Sequence, residues 1–121
     1  MKGRIIGFAI AVTVLALDAG HAQFGEAFPV WFRLEEADHA AITAAEDRIL
    51  AAEPLGPGTT ESWAGDVTGN TGTISILNVF EKDGMPCLET AYDFKIARTA
   101  DPIRYVVPWC QTADGSWKMA F

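Results

Sequence analysis

The stretch DGMPCLETAYDFKIARTADPIRYVVPWCQTADGSW, residues 83 to 117, decides the fold. It begins and nearly ends with an Asp-Gly pair between apolar runs, which is the strongest short-range signal for a β-hairpin turn. Between these pairs, Cys87 and Cys110 lie on either side of the polar stretch ARTADP, which suits a further turn. The stretch therefore predicts consecutive antiparallel strands joined by hairpin turns.

The two cysteines allow the register of the middle hairpin to be tested. If Cys87 lies opposite Cys110, antiparallel pairing sorts large apolar side chains to one face, whereas a slip of one residue would scatter them over both faces. Directly opposed residues are about 4.5 to 5.5 Å apart, within reach of a disulfide. We therefore predict a Cys87–Cys110 disulfide and the pairs Leu88 with Trp109, Thr90 with Val107, Tyr92 with Tyr105, Phe94 with Ile103, Ala91 with Val106 and Asp93 with Arg104.

The two Asp-Gly turns predict the neighbouring pairs. A two-residue turn at 83 to 84 places Val79 opposite Leu88 and Leu77 opposite Thr90. The same turn at 114 to 115 places Cys110 opposite Met119 and Thr112 opposite Trp117. Trp117 would then lie on the face of the disulfide, where its ring would help to cover the bridge rather than recognise a partner.

The first half of the chain predicts a helix. Residues 34 to 52 are rich in helix formers, lack Gly and Pro, and carry a largely alanine stripe at helical spacing. The following EPLGPGTTES is typical of a linker loop. The predicted fold is α+β, with one N-terminal helix packed on a four-stranded antiparallel meander and a disulfide across the central hairpin. Its strands are residues 71–80, 86–96, 103–111 and 116–119, and Phe28, Trp31 and Phe32 are expected to pack an irregular arm before the helix.

Residues 1–22, MKGRIIGFAIAVTVLALDAGHA, have the parts of a secretory signal peptide in order: a basic start, an apolar stretch and small residues before a cut after Ala22. Residues 23–121 then form a single domain that is periplasmic or secreted. No cysteine in or just after the signal offers a lipid-anchoring site, so no membrane insertion of the mature chain is expected. The formal net charge of −7 disfavours nucleic acid and anionic membranes as partners.

The residue types for chemistry are sparse. The mature chain has two cysteines, both expected in the disulfide, and one histidine, His39. Glu35 and His39 are spaced by four residues on the predicted helix, but a closed zinc site needs four ligands. The stretch TGNTG, residues 68 to 72, lacks the lysine of a phosphate-binding loop and indicates a turn. We expect no metal, no cofactor and no catalytic residues.

Four further features of the sequence are Trp63, TGNTG at 68 to 72, GMPC at 84 to 87, and CQTADGSWK at 110 to 118. Together they resemble the carboxyl-terminal domain of the 17 kDa outer-membrane surface antigen family of Gram-negative bacteria. The chain departs from the family pattern at Leu88 and Gln111, where arginine usually follows each cysteine, and at Gly65-Asp66, where Asn-Pro is common. It also has neither lipobox nor glycine zipper, so the resemblance implies the fold and the disulfide without the membrane anchor.

The expected function is a non-catalytic, exported cell-envelope protein that is structural or binds an envelope protein not identified by the sequence. The alternative is a small periplasmic inhibitor, because one helix on a curled antiparallel sheet is also the cystatin-like architecture. An exposed apolar wedge in a loop would favour the inhibitor. A small hydrolase comes third, and a deep pocket with a perturbed acid would favour it.

Overall fold

The computed structural model describes residues 29–99 and 101–120, without the side chain of Phe32. The predicted signal peptide and Phe28 lie outside these residues. The elements are a 3-10 helix Pro29–Arg33, an α-helix α1 Glu36–Leu50, and the strands β1 Thr60–Ala64, β2 Thr71–Lys82, β3 Met85–Lys95, β4 Ile103–Gln111 and β5 Trp117–Met119.

The strands form one antiparallel sheet in the order β1-β2-β3-β4-β5, which is a meander. The predicted α+β class is confirmed, but the prediction of four strands is wrong because β1 adds a fifth. The first three residues of β1 belong to the stretch predicted to be a linker loop, EPLGPGTTES. The strand is hard to recognise because it lies at the sheet edge and buries only Trp63, so its sequence TESWA shows no apolar alternation.

The predicted register of the middle hairpin is confirmed. Cys87 lies opposite Cys110 and the pairing continues without a shift to Phe94 opposite Ile103. The disulfide is formed. Leu88, Tyr92 and Trp109 consequently share the face that packs on α1, and the two cysteines lie on the opposite face, called here the outer face.

The first Asp-Gly turn is also confirmed, with one correction further along the strand. Asp83 and Gly84 both have positive φ, at 51° and 78°, as a type I′ turn requires, and Val79 lies opposite Leu88. A β-bulge between Ile76 and Asn78 then shifts the register. Thr90 therefore faces Ile76, and the prediction that it faces Leu77 is wrong.

The predicted register of the last hairpin is wrong by one residue. The turn has three residues rather than two: Thr112 N–H donates to the Ser116 carbonyl at 2.8 Å, and Gly115 has a φ of 91°. Met119 therefore faces Trp109, and Lys118 faces Cys110. Because such a slip reverses every side chain, Trp117 lies in the hydrophobic core and not on the disulfide.

The helix covers the sheet largely through the predicted stripe, of which Ile42, Ala45 and Ile49 are buried and Ala41 is half-buried. The stripe is wrong at its start, because Ala37 is exposed, and two acidic residues are buried beside the apolar ones. Arg48 joins α1 to β1, donating to the Glu61 carboxylate at 2.7 Å and to the Ser62 carbonyl at 2.9 Å. The buried residues of α1 are Asp38, Ile42, Ala45, Glu46 and Ile49.

Gly72 allows β1, β2 and β3 to approach closely beneath Trp63. A Cβ at this position would overlap the Asp93 carbonyl oxygen and lie 2.5 Å from Trp63 Nε1. Trp63 in turn packs edge-on against Phe94, with ring centroids 5.9 Å apart. Both rings belong to the core, so a side chain at Gly72 would have to displace either the strand or the rings.

We predict that Gly72→Ala lowers the free energy of unfolding by roughly 1 to 3 kcal/mol, the usual cost of overpacking. Gly56→Ala is the matched control, because a Cβ there meets nothing within 4 Å, and it should change the stability by no more than about 0.5 kcal/mol. Urea unfolding of the two variants measures both values. Equal stabilities would contradict this account of Gly72.

Candidate functional site

The disulfide lies on the outer face of the sheet but is almost completely shielded from solvent. Cys87 is 0% exposed and Cys110 is 3% exposed. Phe80 of β2 lies opposite Cys87, and Lys118 of β5 lies opposite Cys110, so the bridge is the centre of a row that crosses four strands. A bridge enclosed in this way is typical of a structural disulfide, since redox-active cysteines are partly exposed.

A buried carboxylate, Asp38, connects three parts of the chain. It lies in the first turn of α1 and accepts hydrogen bonds from Glu35 N–H at 3.0 Å, Thr68 Oγ1 at 2.7 Å and Asn70 Nδ2 at 2.9 Å. Asn70 also accepts from Ala97 N–H at 2.9 Å, through its side-chain oxygen. The start of α1, the β1–β2 loop and the β3–β4 loop are therefore held by one set of hydrogen bonds.

The TGNTG stretch contributes Thr68 and Asn70 to the hydrogen bonds around Asp38, and its other residues have different roles. The predicted turn is present, but only Gly69 has positive φ there, at 80°. Asn70 contributes its side chain to Asp38, and Gly72 permits close strand approach. Gly65, just before the stretch, must also lack a side chain because a Cβ would overlap Asp38 Oδ1.

The hydrogen bonds to Asp38 decide its protonation state. Burial raises the pKa of the carboxyl, but the bonds from Glu35, Thr68 and Asn70 together outweigh this and hold the pKa below its ordinary value of 3.8. Asp38 is therefore a stable anion at neutral pH. It is suited to accept hydrogen bonds and poorly suited to act as a general acid or base.

Glu46 and Tyr92 form a second buried polar contact between the helix and the sheet. The Tyr92 hydroxyl donates to Glu46 Oε2 at 2.6 Å. Burial, followed by the charge of Glu46 and this hydrogen bond, raises the pKa of Tyr92 well above its ordinary value. The tyrosine therefore remains a neutral donor, and the contact positions α1 on β3.

His39 has a structural role. Its ring stacks on Trp31 with centroids 3.8 Å apart and planes 4° from parallel, and its Nε2 donates to the Trp31 carbonyl at 3.1 Å. These contacts fasten the 3-10 helix to α1. Among residues 29–99 and 101–120, no group of three or more His, Cys, Asp or Glu side chains could hold a metal ion.

A surface depression of about 580 Å³ lies where β1, β2 and β3 meet. Its charged side chains are Lys95 and Asp93, and Asp93 is already bound by Arg104 through Nε at 2.7 Å and Nη2 at 2.9 Å. Neither Asp38 nor Asp114, whose pKa values are both lowered, lines it. Its lining residues are Ser62, Trp63, Ala64, Thr71, Gly72, Thr73, Asp93, Phe94, Lys95 and Pro102.

No protein-family model, curated protein or solved structure matches this chain. The resemblance to the surface antigen family therefore rests on its motifs alone. In the described part of the chain, neither helix is long and apolar enough to cross a membrane.

The sequence analysis does not predict the two buried acidic residues that connect the helix to the sheet and its loops, Asp38 and Glu46. Acidic residues in the first helical turn usually serve the helix dipole, and carboxylates on a helix are usually exposed. One signal was available. Asp38, Ile42, Ala45 and Ile49 follow each other at spacings of four, three and four residues, so Asp38 continues the buried stripe.

We predict that replacing both cysteines, Cys87→Ser with Cys110→Ser, lowers the melting temperature markedly. The bridge joins residues separated by 23 positions, and chain entropy gives such a loop about 3 kcal/mol. Thermal unfolding under oxidising conditions measures the change. Wild-type protein that is reduced under denaturing conditions, refolded and melted in the continued presence of reductant is the control, and it should match the double variant; an unchanged melting temperature in both would contradict a stabilising bridge.

We predict that Asp38 makes the protein less stable in acid. A carboxyl with a lowered pKa in the folded state contributes its full stability above the unfolded value of 3.8, and loses it as the pH falls through the lower folded value. Asp114 acts in the same direction, because its bonds from Thr112 and Ser116 lower its pKa to about 2. Urea unfolding at neutral pH and below pH 3.8 should show the decline.

The variant Asp38→Asn isolates the contribution of Asp38. Its amide cannot accept all three hydrogen bonds, so the free energy of unfolding at neutral pH should fall by about 1 to 3 kcal/mol for each donor left unsatisfied. The decline in acid should become shallower. Glu36→Gln, which removes an exposed charge from the same helical turn, should stay within about 1 kcal/mol of the wild type at neutral pH. A wild-type acid profile in Asp38→Asn would refute the assignment.

Proposed function

We propose that this chain is a non-catalytic protein exported to the cell envelope of a Gram-negative bacterium, where it has a structural role or binds another protein. The observation that carries the proposal is the use of its buried polar groups. Both cysteines are joined, Asp38 is surrounded by donors, and Glu46 accepts from Tyr92. Because these groups are bonded to other parts of the fold, they are unsuited to act as catalytic residues.

The disulfide supports the proposed compartment. Cross-strand disulfides persist in oxidising spaces such as the periplasm and are rare in the cytosol. This agrees with the proposed signal peptide, residues 1–22, and with the proposed likeness to the 17 kDa surface antigens. Export would leave a domain that starts at Gln23.

The outer face of the sheet supports a role in protein binding. Val106, on the central part of β4, is 49% exposed; β3 pairs with it on one side, whereas β5 pairs only with residues 109–111 of β4. It lies opposite the fully buried Ala91, and Pro108 on the same face is half-buried. This apolar surface lies beside the Asp93–Arg104 ion pair, and protein contacts commonly combine an apolar centre with polar residues at the rim.

We predict that the exported protein starts at Gln23 and captures an envelope protein through its outer face. Mass spectrometry of periplasmic extract gives the amino terminus. Capture by the wild type should be lost in Val106→Glu and retained, at low temperature, in the double cysteine variant. An uncleaved chain would refute export, and capture that survives Val106→Glu but needs the disulfide in a folded protein would point to a redox role instead.

The inhibitor remains the second candidate because of one residue. Val67 lies in the β1–β2 loop and is 84% exposed, while the adjoining residues Thr68 and Asn70 are held by Asp38. A fixed loop that presents an apolar side chain resembles a small wedge for a peptidase cleft. Inhibition of a cysteine peptidase panel that disappears in Val67→Asp, without a change in melting temperature, would favour this function over the first.

A further inference from the structure

The second half of β2 has an open edge. β1 pairs with β2 only between Thr71 and Ser75, and the chain before β1 accompanies it one residue further, through hydrogen bonds between Ile76 and both Thr59 and Gly58 at 2.9 Å. β2 continues to Lys82. Within the described ranges, no strand lies beside residues 77–82 on the side away from β3.

The hydrogen-bond pattern shows which main-chain groups face this edge. Lys82 and Met85 flank a two-residue turn, so they form a bonded pair, and the alternation of antiparallel ladders makes Phe80 with Cys87 the next bonded pair. Glu81 and Val79 lie between these positions, so their N–H and C=O groups point away from β3. Pro86, which lacks an N–H, lies opposite Glu81 as this pattern requires.

Three of these four groups are available for pairing. Val79 N–H binds the side-chain oxygen of Asn78 at 3.0 Å. The Val79 carbonyl and both Glu81 groups have no partner among residues 29–99 and 101–120. Unpaired groups of this kind on an exposed edge are satisfied by another extended chain.

The side chains along this edge are apolar and exposed. Leu77 is 40% exposed, Val79 43% and Phe80 37%, and the segment ISILNVF, residues 74 to 80, contains neither a charge nor a proline. Natural edge strands usually carry charges or proline that prevent pairing. Here the charges begin only at Glu81, next to the turn.

We propose that a second copy of this chain pairs with the open edge of β2, antiparallel, about a two-fold axis at Phe80. The edge is complementary to itself in this register. Val79 of each copy lies opposite Glu81 of the other copy, once on each side of the axis. The outward-pointing N–H and C=O groups of these residues then form hydrogen-bonded pairs. Phe80 then faces Phe80 in a non-bonded pair, the closer arrangement that favours aromatic contact.

The neighbouring registers are worse. Centring the axis on Glu81 would oppose two like charges, and centring it on Val79 would oppose Glu81 to the bulged Leu77. In the proposed register Asn78 faces Lys82, whose ammonium can bind the Asn78 oxygen and release Val79 N–H. The contact covers few residues, so the dimer is expected to be weak and concentration-dependent. It is independent of the proposed envelope role.

The sign of a charge at residue 79 tests the register. Val79→Glu places a like charge opposite Glu81 twice in each dimer, whereas Val79→Lys places an opposite charge there. Both substitutions remove the same apolar side chain. Sedimentation velocity of the purified protein, over a concentration series, should show a dissociation constant about tenfold higher for Val79→Glu than for Val79→Lys.

Ala113→Glu is the matched control, because it adds the same charge at an exposed residue of the β4–β5 turn, away from β2, and it should dimerise like the wild type. Equal effects of Glu and Lys at residue 79 would overturn the register. A wild type that is monomeric at every concentration would overturn the proposal itself, even if the edge accepts a strand of another protein.

Cysteine cross-linking provides a second measurement. Bonded antiparallel pairs have Cα atoms about 5.5 Å apart, within the span of a disulfide. An oxidised mixture of Val79→Cys and Glu81→Cys proteins should form cross-linked heterodimers, and each variant alone should form few. The native bridge is buried and should not exchange. Cross-linking of either variant with itself, or none in the mixture, would contradict the pairing.

Discussion

The register between β3 and β4 is the constraint on which the rest of the structure depends. Placing Cys87 opposite Cys110 sends Leu88, Tyr92 and Trp109 to the face that packs on α1. A slip of one residue would put these side chains into water and leave the cysteines in the core. The disulfide therefore adds a covalent restraint to a register that burial of the apolar side chains already favours, and it does so in a chain small enough to benefit from it.

The helix is attached to this sheet by polar contacts as well as by apolar packing. Its buried face offers little apolar surface, because Ala45 is small and two of the buried positions are acidic. Asp38 and Glu46 occupy positions where large apolar residues would be usual. Buried polar groups cost little when their hydrogen bonds are satisfied, and their directionality restricts the ways in which two elements can pack. Asp38 and Glu46 lie two turns apart and bond to different parts of the sheet and its loops, so together they fix both the position and the rotation of α1.

Much of the fold could be predicted from the sequence, because the central hairpin has a pattern that only one register explains. The errors arose where the same local sequence permits two geometries. Asp-Gly forms a two-residue turn at 83 to 84 and part of a three-residue turn at 114 to 115, and the hydrogen bond from Thr112 to Ser116 distinguishes them only in the folded chain. β1 shows no alternation of apolar and polar residues, because an edge strand buries few side chains. The roles of Asp38 and Asn70 depend on contacts between residues 27 to 32 positions apart, which local patterns do not contain.

The exposed edges of the sheet in the described residues are treated differently; they are β1, β5, the end of β2, and residues 103–107 of β4, which β5 does not reach. Along β1, the bonded pairs of Thr59 and Gly65 imply that the Ser62 carbonyl points outward, where Arg48 covers it. β5 has only three residues and offers little to pair with. The end of β2 is neither covered by a side chain, as β1 is by Arg48, nor as short as β5. Pairing there would join the row from Lys118 through the disulfide to Phe80 with its symmetry-related row, producing one continuous outer face in which the two bridges lie on either side of the Phe80 pair.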